Sequence, residues 1–421
     1  MKWKVAGTLR VPSARPEGAA VPPAQGNALG IQARAPGSYG PTGQPFAGRT
    51  VSPLGRSMEC LRRYVTQGVA LGWANGGPFG AIGWHVFFFV LFAASPAWAQ
   101  RADPEKSATE LVTKSTQRAI DKGLTWLAGQ QNDDGSFGAG AFRSSVAVCG
   151  LCGMAFMSGG STPGRGPYGE SIHRAVDYIL TNSQQSGLVC EANPVGRGPM
   201  YEHGFGTLFL AEVYGMSHRP ELREKLSAAV KLIINSQNKE GGWRYYPKRD
   251  DADISVTVCQ VMALRAAHNA GLSLPKDTID RATEYVKRCQ NADGGFVYMG
   301  SIGGESGFPR SAAALVALNS AGIYEGPEMA KGLDYLMKFL PGENAGQHET
   351  YFEYGHYYAA QAMWHAGGER WARWYPAIRD ELIARQRPEG SWTSAYGPEY
   401  STAMCLMVLQ MPENQLPIFQ R

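Results

Sequence analysis

The chain has 421 residues, 44% of them hydrophobic and 18% charged, which is ample for a sizeable core and excludes a wholly disordered chain. Its formal charge of +4 is unevenly spread: residues 1–57 contribute +6, 58–99 contribute +1, and 100–421 carry −3. The long C-terminal part is therefore not basic, which argues against a nucleic-acid partner.

Residues 1–57 contain 17 Gly and Pro, seven basic residues and the single acid Glu17, without apolar periodicity, so they cannot build a core. They read as a disordered extension or as sequence upstream of a true start at Met58. Arg62 and Arg63, the apolar run from Val86 to Ala94, and Ala97-Trp98-Ala99 before Gln100 then read as a secretory signal with an A-x-A cleavage site over 58–99. The run is shorter than the roughly 20 residues of a membrane span. The expectation is a protein exported to the periplasm or cell envelope, with membrane association through 81–94 if the signal is retained. Cys60 leaves with that signal, and the remaining six cysteines fall mostly in apolar helical text, where Cys is a small buried hydrophobe. Free, buried thiols are expected.

From residue 115 onward the pattern Gln-x-x-x-Gly-x-aromatic recurs, at Gln131…Gly135…Phe137, Gln237…Gly241…Trp243, Gln290…Gly294…Phe296 and Gln386…Gly390…Trp392. Gln131, Gln184, Gln237 and Gln290 stand 53 residues apart, and Gln386 lies 96 further on, two periods of 48 with one degenerate copy between. This is a repeat architecture. Each copy closes an amphipathic segment, at about 115–132, 170–184, 220–237, 278–290, 327–340 and 376–386; in the first, Ile120, Leu124 and Leu127 share one helical face. Pro220, Pro327 and Pro376 suit first helical turns, and Asp277 or Thr278 suits a cap. The glycines permit the turn after the helix. After each loop follows a second helix, at about 144–157, 204–215, 254–270, 311–321, 357–366 and 400–410, apolar nearly all round and hence buried on most sides. Six polar-faced helices alternating with six buried ones predict an all-α fold of two concentric rings, although the period alone also permits an open solenoid.

These motifs resemble the prenyltransferase and squalene-cyclase repeat superfamily over about residues 115–412, most clearly at Gln237-Asn238-Lys239-Glu240-Gly241-Gly242-Trp243. Tyr201-Glu202-His203-Gly204, the run Tyr357 to Trp364, and the ending Leu416 to Arg421 look like exported bacterial members without an established activity. The resemblance implies an α/α toroid of six hairpins occupying residues 100–421. It also implies that the Gln amide bridges backbone groups between helices while the aromatic ring packs beneath the next helix.

The starts of the inner helices then face one mouth of the cavity. Registering them on Gln260/Gln361 and Thr257/Thr402 gathers Asp253, Tyr354 and Pro398 in one slot and Ser255, His356 and Tyr400 in another. Tyr201, Glu202, His203, Asp251, Arg310 and Glu353 complete a polar collar, the candidate site. Asp253, His203 and His356 are the candidate catalytic residues; Tyr201, Glu202, Asp251, Ser255, Arg310, Glu353 and Tyr400 are the candidate binding residues. Squalene-hopene-type cyclases protonate an alkene with the middle acid of Asp-x-Asp-Asp-Thr. The stretch Asp253-Ile254-Ser255-Val256-Thr257 puts Ser255 at that place, and Asp251-Ala252-Asp253-Ile254-Ser255 keeps Asp253 but loses its neighbour. In prenyltransferases an Asp-x-Cys pair and a His hold zinc; His356 has a place, but Arg310-Ser311-Ala312 stands where the pair should be, so no metal site and no cofactor are expected. Cys149-Gly150-Leu151-Cys152 lacks the Gln of a thioester and sits inside a buried helix, which favours packing. If the chain is an enzyme, a cyclase-like isomerase or lyase fits better than a prenyltransferase. The expected function is binding of a hydrophobic, isoprenoid-class molecule in a central cavity. The alternatives are a non-catalytic scaffold for an envelope protein, or a carbohydrate-active enzyme using paired carboxylates.

Overall fold

The computed structural model describes residues 110–192, 194, 198–217, 219–342 and 351–420. The expectations for 1–57 and for the signal at 58–99 lie outside the described residues. Among the described residues there are twelve α-helices and no strands: α1 Lys114–Ala128, α2 Val146–Ser158, α3 Gly169–Thr181, α4 Met200–Tyr214, α5 Pro220–Ser236, α6 Ile254–Asn269, α7 Lys276–Arg288, α8 Phe308–Ser320, α9 Pro327–Met337, α10 Phe352–Ala366, α11 Gly368–Arg385 and α12 Pro398–Leu409. None is long and apolar enough to cross a membrane.

The even-numbered helices are the apolar ones, and each packs on the next: α2 on α4, α4 on α6, and so on through α12, which returns to α2. The odd-numbered helices lie outside, each against the inner ring through a single apolar stripe. In α7, for example, only Thr278, Ala282, Tyr285 and Val286 are buried. The ring closes, so the fold is an α/α toroid of six hairpins and not an open solenoid.

The repeat motif stitches the outer ring. In each copy the Gln Nε2 donates both to the carbonyl of its own loop glycine and to a carbonyl near the start of the next outer helix. The latter are Ser171 O from Gln131 at 2.9 Å, Thr278 O from Gln237 at 2.8 Å and Glu328 O from Gln290 at 2.9 Å. Gln386 makes the same bond back to Ala119 O of α1, at 2.8 Å, and so closes the circle. The motif glycine is required twice over: Gly241 has φ +102°, and a Cβ there would lie 2.1 Å from Arg281 O of the next outer helix. The Trp392 ring lies against Gly123 of α1, the next outer helix in the circle, and the indole N–H groups tie the rings back to their own hairpins. Trp243 and Trp392 donate from Nε1 to Ile233 O and Leu382 O of their own outer helices, each at 2.8 Å.

Three sequence expectations are corrected here. Ser183, not Gln184, occupies the glutamine place of the second copy: Gln184 N bonds Leu188 O as Asn132 N bonds Ser136 O, which puts Ser183, Gly187 and Val189 in register with Gln131, Gly135 and Phe137. Pro376 lies inside α11, whose first turn is at Gly368, because the helix starts eight residues earlier than the proline signal implied. Pro275 is the N-cap residue of α7, with no side-chain capping bond, and Asp277 falls in the first turn, where its charge favours the helix N-terminus.

At the opposite end of the toroid from the motif loops, the chain after α12 folds over the inner helices. Leu416, Ile418 and Phe419 are buried there. Trp364 Nε1 donates to Phe419 O at 3.0 Å, and Ile418 N donates to Glu212 Oε2 of α4 at 3.4 Å. Burial raises the Glu212 carboxyl to about 8.

Candidate functional site

The motif loops deliver the chain into the inner helices at one mouth, and a recurring bond sets the register there. The backbone N–H of each loop aromatic donates to a side chain one turn into the following helix: Trp243 N to Thr257 Oγ1 at 3.1 Å, Phe296 N to Ser311 Oγ at 2.8 Å, and Trp392 N to Thr402 Oγ1 at 3.0 Å. In α4 the same service falls to His203, whose Nδ1 accepts from Val189 N at 3.1 Å. His203 thus does the work of a threonine hydroxyl. It is wholly buried, and that burial pulls its imidazole down to about 4.

His356 sits in the equivalent turn of α10, boxed by Phe352, Phe308 and Trp374 at ring-centroid distances of 4.5, 5.0 and 5.8 Å. Because Trp374 belongs to outer helix α11, His356 is turned away from the lumen. Tyr354, two residues earlier, takes the lumen slot beside Ser255 and Tyr400. The Gln260/Gln361 register is therefore two residues off, and the two amides do different jobs: Gln260 Nε2 bonds Met200 O across to α4, and Gln361 Nε2 bonds Tyr357 O of its own helix.

In this register each inner helix presents a partly exposed residue at the equivalent place in its first turn: Ala147, Tyr201, Ser255, Pro309, Tyr354 and Tyr400. Four residues further on, the same helical face carries Leu151, Phe205, Cys259, Ala313, Tyr358 and Met404, none more than 4% exposed. Cys259 Sγ lies 3.7 Å from Tyr358 Oη. Their helices, α6 and α10, are not neighbours in the ring, so this contact spans the lumen. The mouth is a shallow, tyrosine-lined vestibule closed below by a packed layer. Burial raises the Cys259 thiol to about 12, which makes it a packing group rather than a nucleophile.

Asp253 anchors the vestibule wall. It is the N-cap residue of α6, and its Oδ1 accepts from Val256 N at 2.9 Å and from Ser255 Oγ at 2.6 Å. Ser255 Oγ in turn accepts from the Tyr201 hydroxyl at 2.8 Å. The other oxygen, Oδ2, faces Arg244 Nε at 3.8 Å, and the carboxyl also interacts with the Tyr298 hydroxyl, which is itself hydrogen-bonded to Tyr245. Burial raises the Asp253 carboxyl above its ordinary range, against the opposing effect of these hydrogen bonds and of Arg244. The Tyr201 phenol is raised as well, by burial first and then by the charge of Asp253.

The remaining candidates are dispersed. Glu202 is buried between helices and reaches back to cap α2, accepting from Ser145 Oγ at 2.6 Å and Ala147 N at 2.8 Å; burial raises its carboxyl. Asp251 is exposed and paired with Arg244. Arg310 lays its guanidinium against Gly307. Tyr400 packs at a tilt on Tyr396, with ring centroids 5.3 Å apart, and Glu353 lies near enough for its charge to disfavour the Tyr400 phenolate, after burial. The structure thus joins Asp253, Ser255 and Tyr201 at one site with Tyr354 and Tyr400, and it separates His203 and His356 from them. Tyr245 and Tyr298 escaped sequence reasoning, yet they lie 53 residues apart, two positions beyond Trp243 and Phe296. Extending the motif by two residues would have found the pair.

The six cysteines among the described residues are free and buried. Cys149 Sγ points to Gly135 O and Ala175 O, and Cys152 Sγ to Glu399 O of α12, so the two thiols of the Cys-x-x-Cys run diverge. Among the described residues no cluster of three or more His, Cys, Asp or Glu side chains is arranged to hold a metal.

The closed ring of six hairpins is the squalene-cyclase-like α/α toroid, the superfamily fold that the repeat predicts. Residues 206–356 match the squalene-hopene cyclase C-terminal domain. Among solved structures, the type II terpene cyclase MstE of Scytonema is similar, with a TM-score of 0.50 at 15% identity over 72% of this chain and 99% of that one. So are two glycoside hydrolases: the GH76 α-mannanase of Bacteroides thetaiotaomicron, with a TM-score of 0.53 at 10% identity over 73% of this chain and 98% of that one, and the GH76A α-1,6-mannanase of Salegentibacter, with 0.51 at 9% over 71% and 99%. At these identities the likeness is one of fold. No curated protein matches the sequence.

Proposed function

We propose that this protein binds a hydrophobic, isoprenoid-class molecule at the tyrosine collar and does not cyclise it. The observation that carries the reading is the vestibule itself: Tyr201, Tyr354 and Tyr400 are partly exposed around one mouth, above a layer sealed by Cys259 and Tyr358. Aromatic faces suit an apolar ligand, and the sealed layer limits it to shallow entry. Cyclisation is disfavoured because Asp253 Oδ1 is taken up by two donors as a helix cap and Ile254 stands where the cyclase motif carries a second acid, although burial raises the Asp253 carboxyl.

A second reading, a non-catalytic scaffold that docks an envelope protein, is favoured by the same packed layer. A mannanase-like activity has less support, since the buried acids Asp253 and Glu202 cap helices and Asp251 is paired with Arg244. Export of the chain, with cleavage before Gln100, belongs to the proposal; N-terminal sequencing of the protein from an envelope fraction tests it.

The binding reading is tested by native mass spectrometry and lipid extraction of the protein purified from its host. Co-purification of an isoprenoid lipid, lost in Tyr354→Ala with thermal stability retained, is the expected result. Lipid-free protein that captures a folded partner instead would establish the scaffold reading.

A further inference from the structure

The hydrogen-bond directions in the collar restrict the ligand's head group, on the premise that the collar is a binding site. Asp253 Oδ1 already accepts from Val256 N, so the short contact from Ser255 Oγ must also be a donation to it. Serine has one proton, and it is used there. The contact between Tyr201 and Ser255 must then be a donation from Tyr201, as its geometry indicates. Tyr201 consequently turns only lone pairs toward the lumen.

Tyr354 is its opposite. Its Oη is buried and has no hydrogen-bond partner, so it retains a proton to donate. It belongs to α10, which stands across the six-membered inner ring from α4, and Tyr201 is the neighbour whose charge most disfavours its phenolate, after burial. An acceptor-only oxygen and a free donor thus confront each other over the vestibule. A group that can accept from one and donate to the other is a hydroxyl. A hydrocarbon leaves the Tyr354 hydroxyl unsatisfied, and an ether or ester leaves Tyr201 without a donor. A diphosphate would have to compete for Arg244, the cation beside Asp253, which is already shared between Asp251 and Asp253.

We propose that the collar selects an amphiphile with a terminal hydroxyl, which donates to Tyr201 Oη and accepts from Tyr354 Oη while its apolar body lies against the tyrosine rings. No covalent step is involved.

The test is calorimetric titration of the full chain with farnesol, farnesyl methyl ether and farnesyl diphosphate. Farnesol should bind about tenfold more tightly than the ether, one buried hydrogen bond being the difference, and the diphosphate should bind no better than the ether. Tyr201→Phe removes the acceptor and should bring the alcohol and ether to near-equal affinity by weakening the alcohol alone. Tyr354→Phe removes the donor and should weaken both by a similar factor. Equal binding of alcohol and ether by the unsubstituted protein, or an unchanged ratio in Tyr201→Phe, overturns the head-group assignment but leaves the collar as a binding site. Failure of all three to bind removes the collar reading itself and this inference with it.

Discussion

Glu212 and His203 lie on the same helix, and burial moves their protonation in ways that oppose each other along the pH axis. The Glu212 carboxyl stands at about 8 against an ordinary 4.5. Between those values the unfolded chain is ionised at this position while the folded chain holds its proton, so stability falls as pH rises, by about 1.4 kcal/mol per unit from this group. Glu212→Gln should remove that slope: the variant's melting temperature, measured from pH 4.5 to 8.5, should gain progressively on that of the unsubstituted protein up to about pH 8. A constant difference across the range would show that Glu212 is not held neutral beneath Ile418. His203, lowered to about 4 from 6.5, runs the other way. Its contribution is intact above 6.5 and is lost as pH falls through 4, because the unfolded chain gains a proton there that the folded chain refuses. His203→Gln retains an acceptor for Val189 N and cannot take that proton. Its loss of stability relative to the parent should shrink steadily from pH 6.5 to 4.5.

At the level of the hairpin, the motif glutamine and glycine are separable. Gln237→Ala strips a donor from two buried carbonyls, Gly241 O and Thr278 O, and should cost about 2–4 kcal/mol in urea unfolding. Gly241→Ala should cost more than the roughly 1–2 kcal/mol of a positive φ alone, because the new methyl meets Arg281 O. A cost within 1 kcal/mol for either variant contradicts the stitching account. Ser183 shows that a copy survives without the amide: there Lys225 Nζ donates to Ser183 O at 2.6 Å and ties the second loop to α5. Such substitutions explain what sequence could and could not convey. The hairpins were legible because apolar periodicity and a glycine at positive φ admit few alternatives. The inner-helix register was less so, because Gln260 and Gln361 look alike in sequence but bond in different directions, and an apolar helix has no polar face from which to read which residue meets the lumen. Asp253 and Tyr201 could be nominated as polar residues near a helix start. That Asp253 is a cap, and that His203 replaces a threonine, depends on which backbone N–H each one meets.

For the whole ring, the bond from Gln386 to Ala119 decides what kind of repeat protein this is. An open array loses stability roughly in proportion to the units removed, and it needs specialised ends. Here the sixth hairpin supplies α12 to both α10 and α2, so ending the chain at Gly367 leaves two inner helices each with an uncovered apolar flank. That truncation should abolish cooperative unfolding rather than lower it by one increment, and circular dichroism with urea titration will tell the two apart. The same closure makes the order of hairpins along the chain arbitrary in physical terms. A circular permutant that opens at the exposed turn around Gly271, with residue 420 linked to residue 110, would keep every stitch of the outer ring. Its first and last hairpins would meet as Gln386 and Ala119 do now. In such a molecule no hairpin is first or last: the gene has a beginning, and the ring it encodes does not.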